Sequence, residues 1–167
     1  MITIERAREL LTYDAQSGDI RWAQDVKSEK RNRCYIRKGM IAGSVAGRYR
    51  TIKIDGKTYM AHKLAWFLVH GEWPKIILDH ANRDGLDNRL CNLRPATRFQ
   101  NQANRSKPRH NTSGHKGALW RPDLGRWVGL IVHRGKPYHL GVFDTAEEAG
   151  RAYAVASVSL NGEFASF

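Results

Sequence analysis

Apolar residues three and four apart open the chain. Ile4, Ala7, Leu10 and Leu11 fall on one face and predict a short amphipathic helix over Ile2–Leu11. In the LTYDAQSGDIRWAQ stretch that follows, Asp14, Ser17 and Gly18 predict a turn between two short strands, anchored by Tyr13 and Trp22. From Ile41 to Met60 the period changes to two. Ile52 and Ile54 alternate with Lys53, and Asp55-Gly56 is a two-residue hairpin turn that sets Tyr59 opposite Ile52. AHKLAWFLVH, Ala61–His70, reads as a buried helix stopped by Gly71 and Pro74, with His62 at its start as a packing or capping residue and a ligand role as the rival reading. The end of the chain predicts three strands, Ala118–Trp120, Trp127–His133 and Tyr138–Phe143, parted by turns at 122–125 and 134–136. Thr145 and Glu148 form a capping-box pattern for a helix to about Leu160, stopped by Asn161-Gly162. Ala149, Ala152, Tyr153 and Ala156 give that helix a face of mostly small residues, suited to close packing on a sheet.

Between these patterned regions lies Ile77–Asn104, dense in polar loop-formers. Arg105–Ser113 follows, polar, basic and Pro-containing, and reads as a linker. The expected fold class is therefore α+β. Residues 1–104 form one domain, 105–113 the linker, and 114–167 a small three-stranded antiparallel sheet with one helix.

Charge narrows the partner. The 167 residues carry 28 Lys and Arg against 16 Asp and Glu, a formal net charge of +12, which favours a polyanion. From Gly114 onward six bases meet five acids, so most of the attraction sits before it. The charge-dense run Asp25–Lys38 reads as a solvated loop, with phosphate contact as the rival reading. No apolar run approaches the roughly 18 residues of a spanning helix, and MITIERARELL lacks the apolar stretch of a signal peptide. Membrane is excluded as a partner. The two cysteines, Cys34 and Cys91, form no CxxC pair, so no zinc ribbon is expected and a reduced, cytoplasmic setting is.

The candidate chemistry lies in Ile77–Asn104. Cleaving a phosphodiester needs an activated water, charge relief on the phosphate and stabilisation of the leaving oxygen. Asp79 is a hard oxygen ligand for Mg²⁺ or Mn²⁺, Asn101 can offer a second oxygen, and water and phosphate must complete the shell. His80 suits a general base. Adjacent strand residues point to opposite faces, so a bend is needed for Asp79 and His80 to serve one site. Asn92 can fix the loop or orient His80. Arg83, Arg94 and Arg98 surround these residues in sequence and are candidates for DNA phosphate. An ordinary Asn-rich turn is the competing reading.

LDHANRDGLDNRLCNLRPATRFQNQANR, with HKLAWFLVHGEWP before it, resembles the phage and homing-endonuclease branch of the HNH endonuclease family over roughly residues 41–105. The resemblance implies a ββα-metal unit, about residues 76–104. Its first strand carries Asp79 and His80, a second lies near Leu93–Thr97, and a helix carries Asn101. It further implies Asp79 and Asn101 as ligands of Mg²⁺ or Mn²⁺, His80 as general base and Asn92 as the middle asparagine. The last position is Asn rather than His, and the Cys pairs that hold zinc in some members are absent.

KGALWR, GRWVGLI, YHLGVFDTAEEAGRAY and the closing NG resemble the Apetala-type DNA-binding domain, whose sheet enters the major groove. By alternation, Trp120, Trp127 and Leu140 pack on the helix. Lys116, Arg121, Arg126, Arg134, Lys136 and His139 are candidates for the DNA side. Leu119, Leu130 and Val132 stand where the plant domains carry arginine or glutamate, which leaves apolar contact with thymine methyls, or mainly backbone binding. The function expected is a metal-dependent endonuclease acting on double-stranded DNA by nick or double-strand break, as a monomer or DNA-dependent dimer, phage-encoded and acting in the host cytoplasm. A non-catalytic DNA-binding regulator and an RNA-binding structural protein are the alternatives.

Overall fold

A computed structural model describes residues 1–28 and 33–167. It is a mixed chain of short helices and small sheets. Contacts divide it into two units, Met1–Pro95 and Ala96–Phe167.

The first unit begins with helix α1, Ile4–Leu10, capped by the Thr3 hydroxyl, which accepts from the Arg6 N–H at 3.3 Å. Its apolar face is buried as the spacing requires, with Ala7 and Leu10 inside. Leu11, expected within the helix, opens strand β1, Leu11–Tyr13, which pairs antiparallel with β2, Ile20–Trp22. The Asp25–Lys38 run departs from the expected loop. Strand β3, Val26–Ser28, pairs with β4, Arg33–Ile36, while 29–32, part of the same expectation, lie outside the described residues.

The predicted hairpin gains a third strand. β5, Ser44–Ala46, β6, Tyr49–Ile54, and β7, Lys57–Met60, make one antiparallel sheet in which Ile52 faces Tyr59. Asp55 and Gly56 both take positive φ, 47° and 79°, the conformation this two-residue turn demands. Helix α2, Ala61–His70, ends where Gly71 takes up the left-handed conformation. It buries Leu64, Ala65, Phe67 and Leu68 in one core with Ile52, Ile54, Ile20 and Trp22. Truncating a fully buried leucine such as Leu64 costs about 2–5 kcal/mol. Strand β8, Ile77–His80, and strand β9, Leu93–Ala96, pair as a two-stranded sheet, with a 3₁₀ turn at Leu90–Asn92 before β9.

The second unit starts with helix α3, Arg98–Ala103. Its capping box, Thr97 with Gln100, is a signal the sequence reading passed over. Strands β10, Ala118–Arg121, β11, Arg126–His133, and β12, Lys136–Phe143, form an antiparallel sheet with an irregularity at Gly129/Leu130. Helix α4, Ala146–Asn161, carries the predicted Thr145–Glu148 capping box. Its buried stripe is Ala149, Tyr153 and Ser157; Ala152 and Ala156 are only partly covered. Trp120, expected against α4, is half-exposed and meets Trp127 edge to face at 5.3 Å. Among the described residues no helix is long and apolar enough to cross a membrane.

Candidate active site

Three successive residues at the end of β8, Leu78, Asp79 and His80, are 5–6 % exposed. A strand sends neighbouring side chains to opposite faces, so both faces of β8 are covered here and each polar group has its own surroundings. Asp79 Oδ2 accepts from Nε and Nη2 of Arg94 on β9, at 3.1 and 3.0 Å. Both side chains of this ion pair are largely buried, and charge-assisted bonds to one oxygen hold the carboxylate in place. Arg94, expected at phosphate, is thus engaged at Asp79.

His80 meets different neighbours. Its Nε2 lies 3.4 Å from Asn88 Oδ1. The Asn88 amide is oriented by Nδ2, which donates to the Leu86 carbonyl at 3.2 Å. The amide oxygen therefore faces the imidazole, a placement that suits a proton on Nε2. The His62 ring stands nearly perpendicular to that of His80 at 5.2 Å, and Tyr49 flanks His80 at 5.8 Å and His62 at 5.5 Å. Burial pushes the His80 pKa below its ordinary value, against the opposing pull of Asn88 and of the carboxylates of Asp79, Asp87 and Asp84. His62 is pushed down to about 4, by burial first and then by His80 and Lys63. Among the described residues its buried Nδ1 has no hydrogen-bond partner. Both imidazoles are therefore neutral near pH 7.

The loop between the strands is closed by Asn92. Its Oδ1 accepts from the Asn82 N–H at 2.9 Å, its Nδ2 donates to the Asp87 carbonyl at 2.8 Å, and its own carbonyl accepts from the Ala81 N–H at 2.9 Å. Of the two roles open to Asn92, the geometry is that of loop fixing, and Asn88 is the carboxamide beside His80. Asp87 is tied to Arg89 through 2.8 and 2.6 Å bonds, which lower its pKa to about 2. The N-terminal hairpin braces this loop from outside. Tyr13 Oη donates to the Asn88 carbonyl at 3.0 Å and accepts from the Leu90 N–H at 3.1 Å. Gly18 lies so close that a Cβ there would come within 2.5 Å of the Arg89 nitrogen.

Asn101 lies on α3, in the second unit, partly buried. Arg83 is exposed, with φ 68°, and its carbonyl accepts from Arg48. Arg98 is exposed at the start of α3. Arg134, Lys136 and His139 are exposed on the second unit. Arg121 is held by Asp123 at 2.7 and 2.8 Å, and Arg126 pairs with Asp144. Lys116 donates to three backbone carbonyls, which occupies the three protons of its ammonium. Asn88, Tyr49 and Tyr13 were not foreseen as parts of this site. The DGLDN run signals only a turn, and its return to His80 needs the fold.

The arrangement fits a known group. The family model for HNH endonucleases matches residues 59–103, from the end of β7 through α3. The chain belongs to the HNH endonuclease family. Among its relatives, Protein 3.8 of Escherichia phage T7 is 33 % identical over 107 residues, 64 % of this chain and 88 % of that protein. Uncharacterized HNH endonuclease L560 of Acanthamoeba polyphaga mimivirus is 29 % identical over 111 residues, 66 % of this chain and 57 % of that protein. A shorter likeness, 41 % over 58 residues, joins 35 % of this chain to 12 % of the AP2-like ethylene-responsive transcription factor TOE2 of Arabidopsis thaliana.

Proposed function

We propose that the chain is a metal-dependent endonuclease of the homing type that hydrolyses phosphodiester bonds in double-stranded DNA. The observation that carries this reading is His80. Inside the family-matched stretch it is a buried imidazole, neutral near pH 7, with the Asn88 amide beside its Nε2 and Asp79 adjacent. A neutral, oriented imidazole is the form a general base requires.

The donors fit Mg²⁺ or Mn²⁺. Asp79 and Asn101 would hold the ion, a carboxylate and a carboxamide suited to a hard cation whose other positions are filled by water and phosphate. A carboxylate has lone pairs enough to bind Arg94 and a cation together. When bound, the ion supplies charge relief on the phosphate and at the leaving oxygen. His80 takes a proton from the attacking water. The new bond is from that water oxygen to phosphorus, and the bond to the 3′-oxygen breaks. The products are a 5′-phosphate and a 3′-hydroxyl, the latter protonated from solvent. Asn92 keeps the loop closed, and Asn88 orients the His80 ring. Arg83 and Arg98, exposed in the same stretch, take phosphates, and the C-terminal sheet with Arg134, Lys136 and His139 adds the choice of site. The likeness to a plant transcription factor supports that last assignment.

The test is relaxation of supercoiled plasmid in Mg²⁺ and in EDTA. Nicked or linear DNA in Mg²⁺ alone is expected, and intact plasmid in both would remove the enzyme reading. The pair Asp79–Arg94 favours the second reading, a non-catalytic DNA-binding regulator, because the guanidinium already balances the charge that would draw a cation to this carboxylate. Duplex binding without cleavage at any Mg²⁺ or Mn²⁺ concentration is the outcome that reading requires.

A further inference from the structure

Helix α3 has only six residues, too few to be stable by propensity alone. Its N-terminus is closed by its own capping box, and its last carbonyls need partners from elsewhere. Lys116, in the lead-in to β10, provides them. Its Nζ donates to the carbonyl of Ala103, the last residue of α3, at 2.9 Å, and to that of Arg105, just past the helix, at 2.6 Å. The third bond, at 3.0 Å, goes to the carbonyl of Ser166 near the chain end, whose hydroxyl also donates to the Arg105 carbonyl at 3.2 Å. The same ammonium lies 5.6 Å from the ring centroid of Tyr153 on α4. A cation at a helix C-terminus also complements the helix dipole.

We infer that Lys116 is a positioning residue for the metal site: through the C-terminal end of α3 it fixes the helix that presents Asn101, and it is not a DNA contact. The inference rests on the assignment of Asn101 as a metal ligand. It makes the last third of the chain part of the catalytic machinery as well as a binding module. A change that loosens the sheet or the Ser166 end reaches the metal site by this route, even where no base or phosphate is touched.

The test uses the full-length chain with Lys116→Met, which keeps the apolar stem and removes the donors. Mn²⁺ affinity is read by electron paramagnetic resonance, duplex binding in EDTA across a salt series, and amide exchange at residues 103–105 by NMR. Mn²⁺ binding is expected to weaken about tenfold or more, as when a ligand's supporting partner is lost. Exchange at 103–105 should quicken, while duplex affinity and its salt slope stay at wild-type values. A phosphate contact gives the opposite pattern, with unchanged Mn²⁺ affinity and exchange and a salt slope smaller by about one, and that result overturns the inference. If Lys116→Met does not fold, Lys116→Leu, shorter and also without a donor, carries the same test. A folded Leu variant with wild-type Mn²⁺ affinity and wild-type exchange also overturns it. If the wild type itself takes up no Mn²⁺, the endonuclease reading is what fails, and with it the link from Lys116 to a metal.

Discussion

The loop that ends at Asn92 and the sheet that ends at Phe143 handle polar groups in opposite ways. Around His80 the polar groups are buried and over-determined. Asn92 makes three bonds that close its loop, Asn88 is fixed at both ends of its amide, and Asp79 is gripped twice by Arg94. On the C-terminal sheet the arginines are exposed and tied to carboxylates of the same unit, and Leu119, Val132 and Val142 stand out to solvent. Chemistry needs groups held before the substrate arrives, and burial does that. On the proposed reading, recognition leaves its groups at the surface, where DNA must displace Asp123 and Asp144 before Arg121 and Arg126 can serve it.

Breaking the buried half should have the largest effects. Arg94→Met removes the guanidinium that binds the buried Asp79 carboxylate twice, which costs about 3–5 kcal/mol. Chemical unfolding measures it, and adding Asp79→Asn should recover most of the loss. Acid comes next. Between about pH 6.5 and 4 the unfolded chain protonates His62 and the folded chain does not. Stability is therefore complete above that window and falls as pH drops through it, by roughly 3 kcal/mol in all. Replacing His62 with Gln should flatten the dependence. Asn88→Ala removes one hydrogen bond to His80 and should slow cleavage about tenfold. Its acid limb should stay below the ordinary histidine pKa of about 6.5, because burial, the larger cause, is retained. The smallest effect belongs to the exposed half. Asp123→Asn with Asp144→Asn releases two guanidinium groups and should tighten duplex binding about threefold, with a steeper salt dependence. Unchanged binding would show that these arginines do not meet DNA.

What could be read from the chain follows from distance along it. The Asp55-Gly56 turn, the bounds of α2 and the Thr145–Glu148 box are written in neighbouring residues, and each stands where the pattern put it. The two strands that flank the polar loop stand where the family resemblance, rather than a local pattern, put them. Partners far apart could not be read. Tyr13 reaches Asn88 across 75 positions and Lys116 reaches Ser166 across 50. No local periodicity encodes such meetings. A lysine between a linker and a strand looks like a surface cation until the fold brings three carbonyls to it. Arg94 likewise looked available for phosphate because its partner, fifteen residues away, is met only when β8 and β9 pair.

His80 carries the account, and it is tested by measuring cleavage and binding on one substrate. Wild type and His80→Ala are compared for single-turnover cleavage of plasmid in Mg²⁺ and for duplex affinity in EDTA. Loss of a positioned general base predicts cleavage slower by about 10²–10⁴-fold with affinity unchanged. Equal cleavage by the two proteins, or a fall in cleavage matched by an equal fall in affinity, would contradict it.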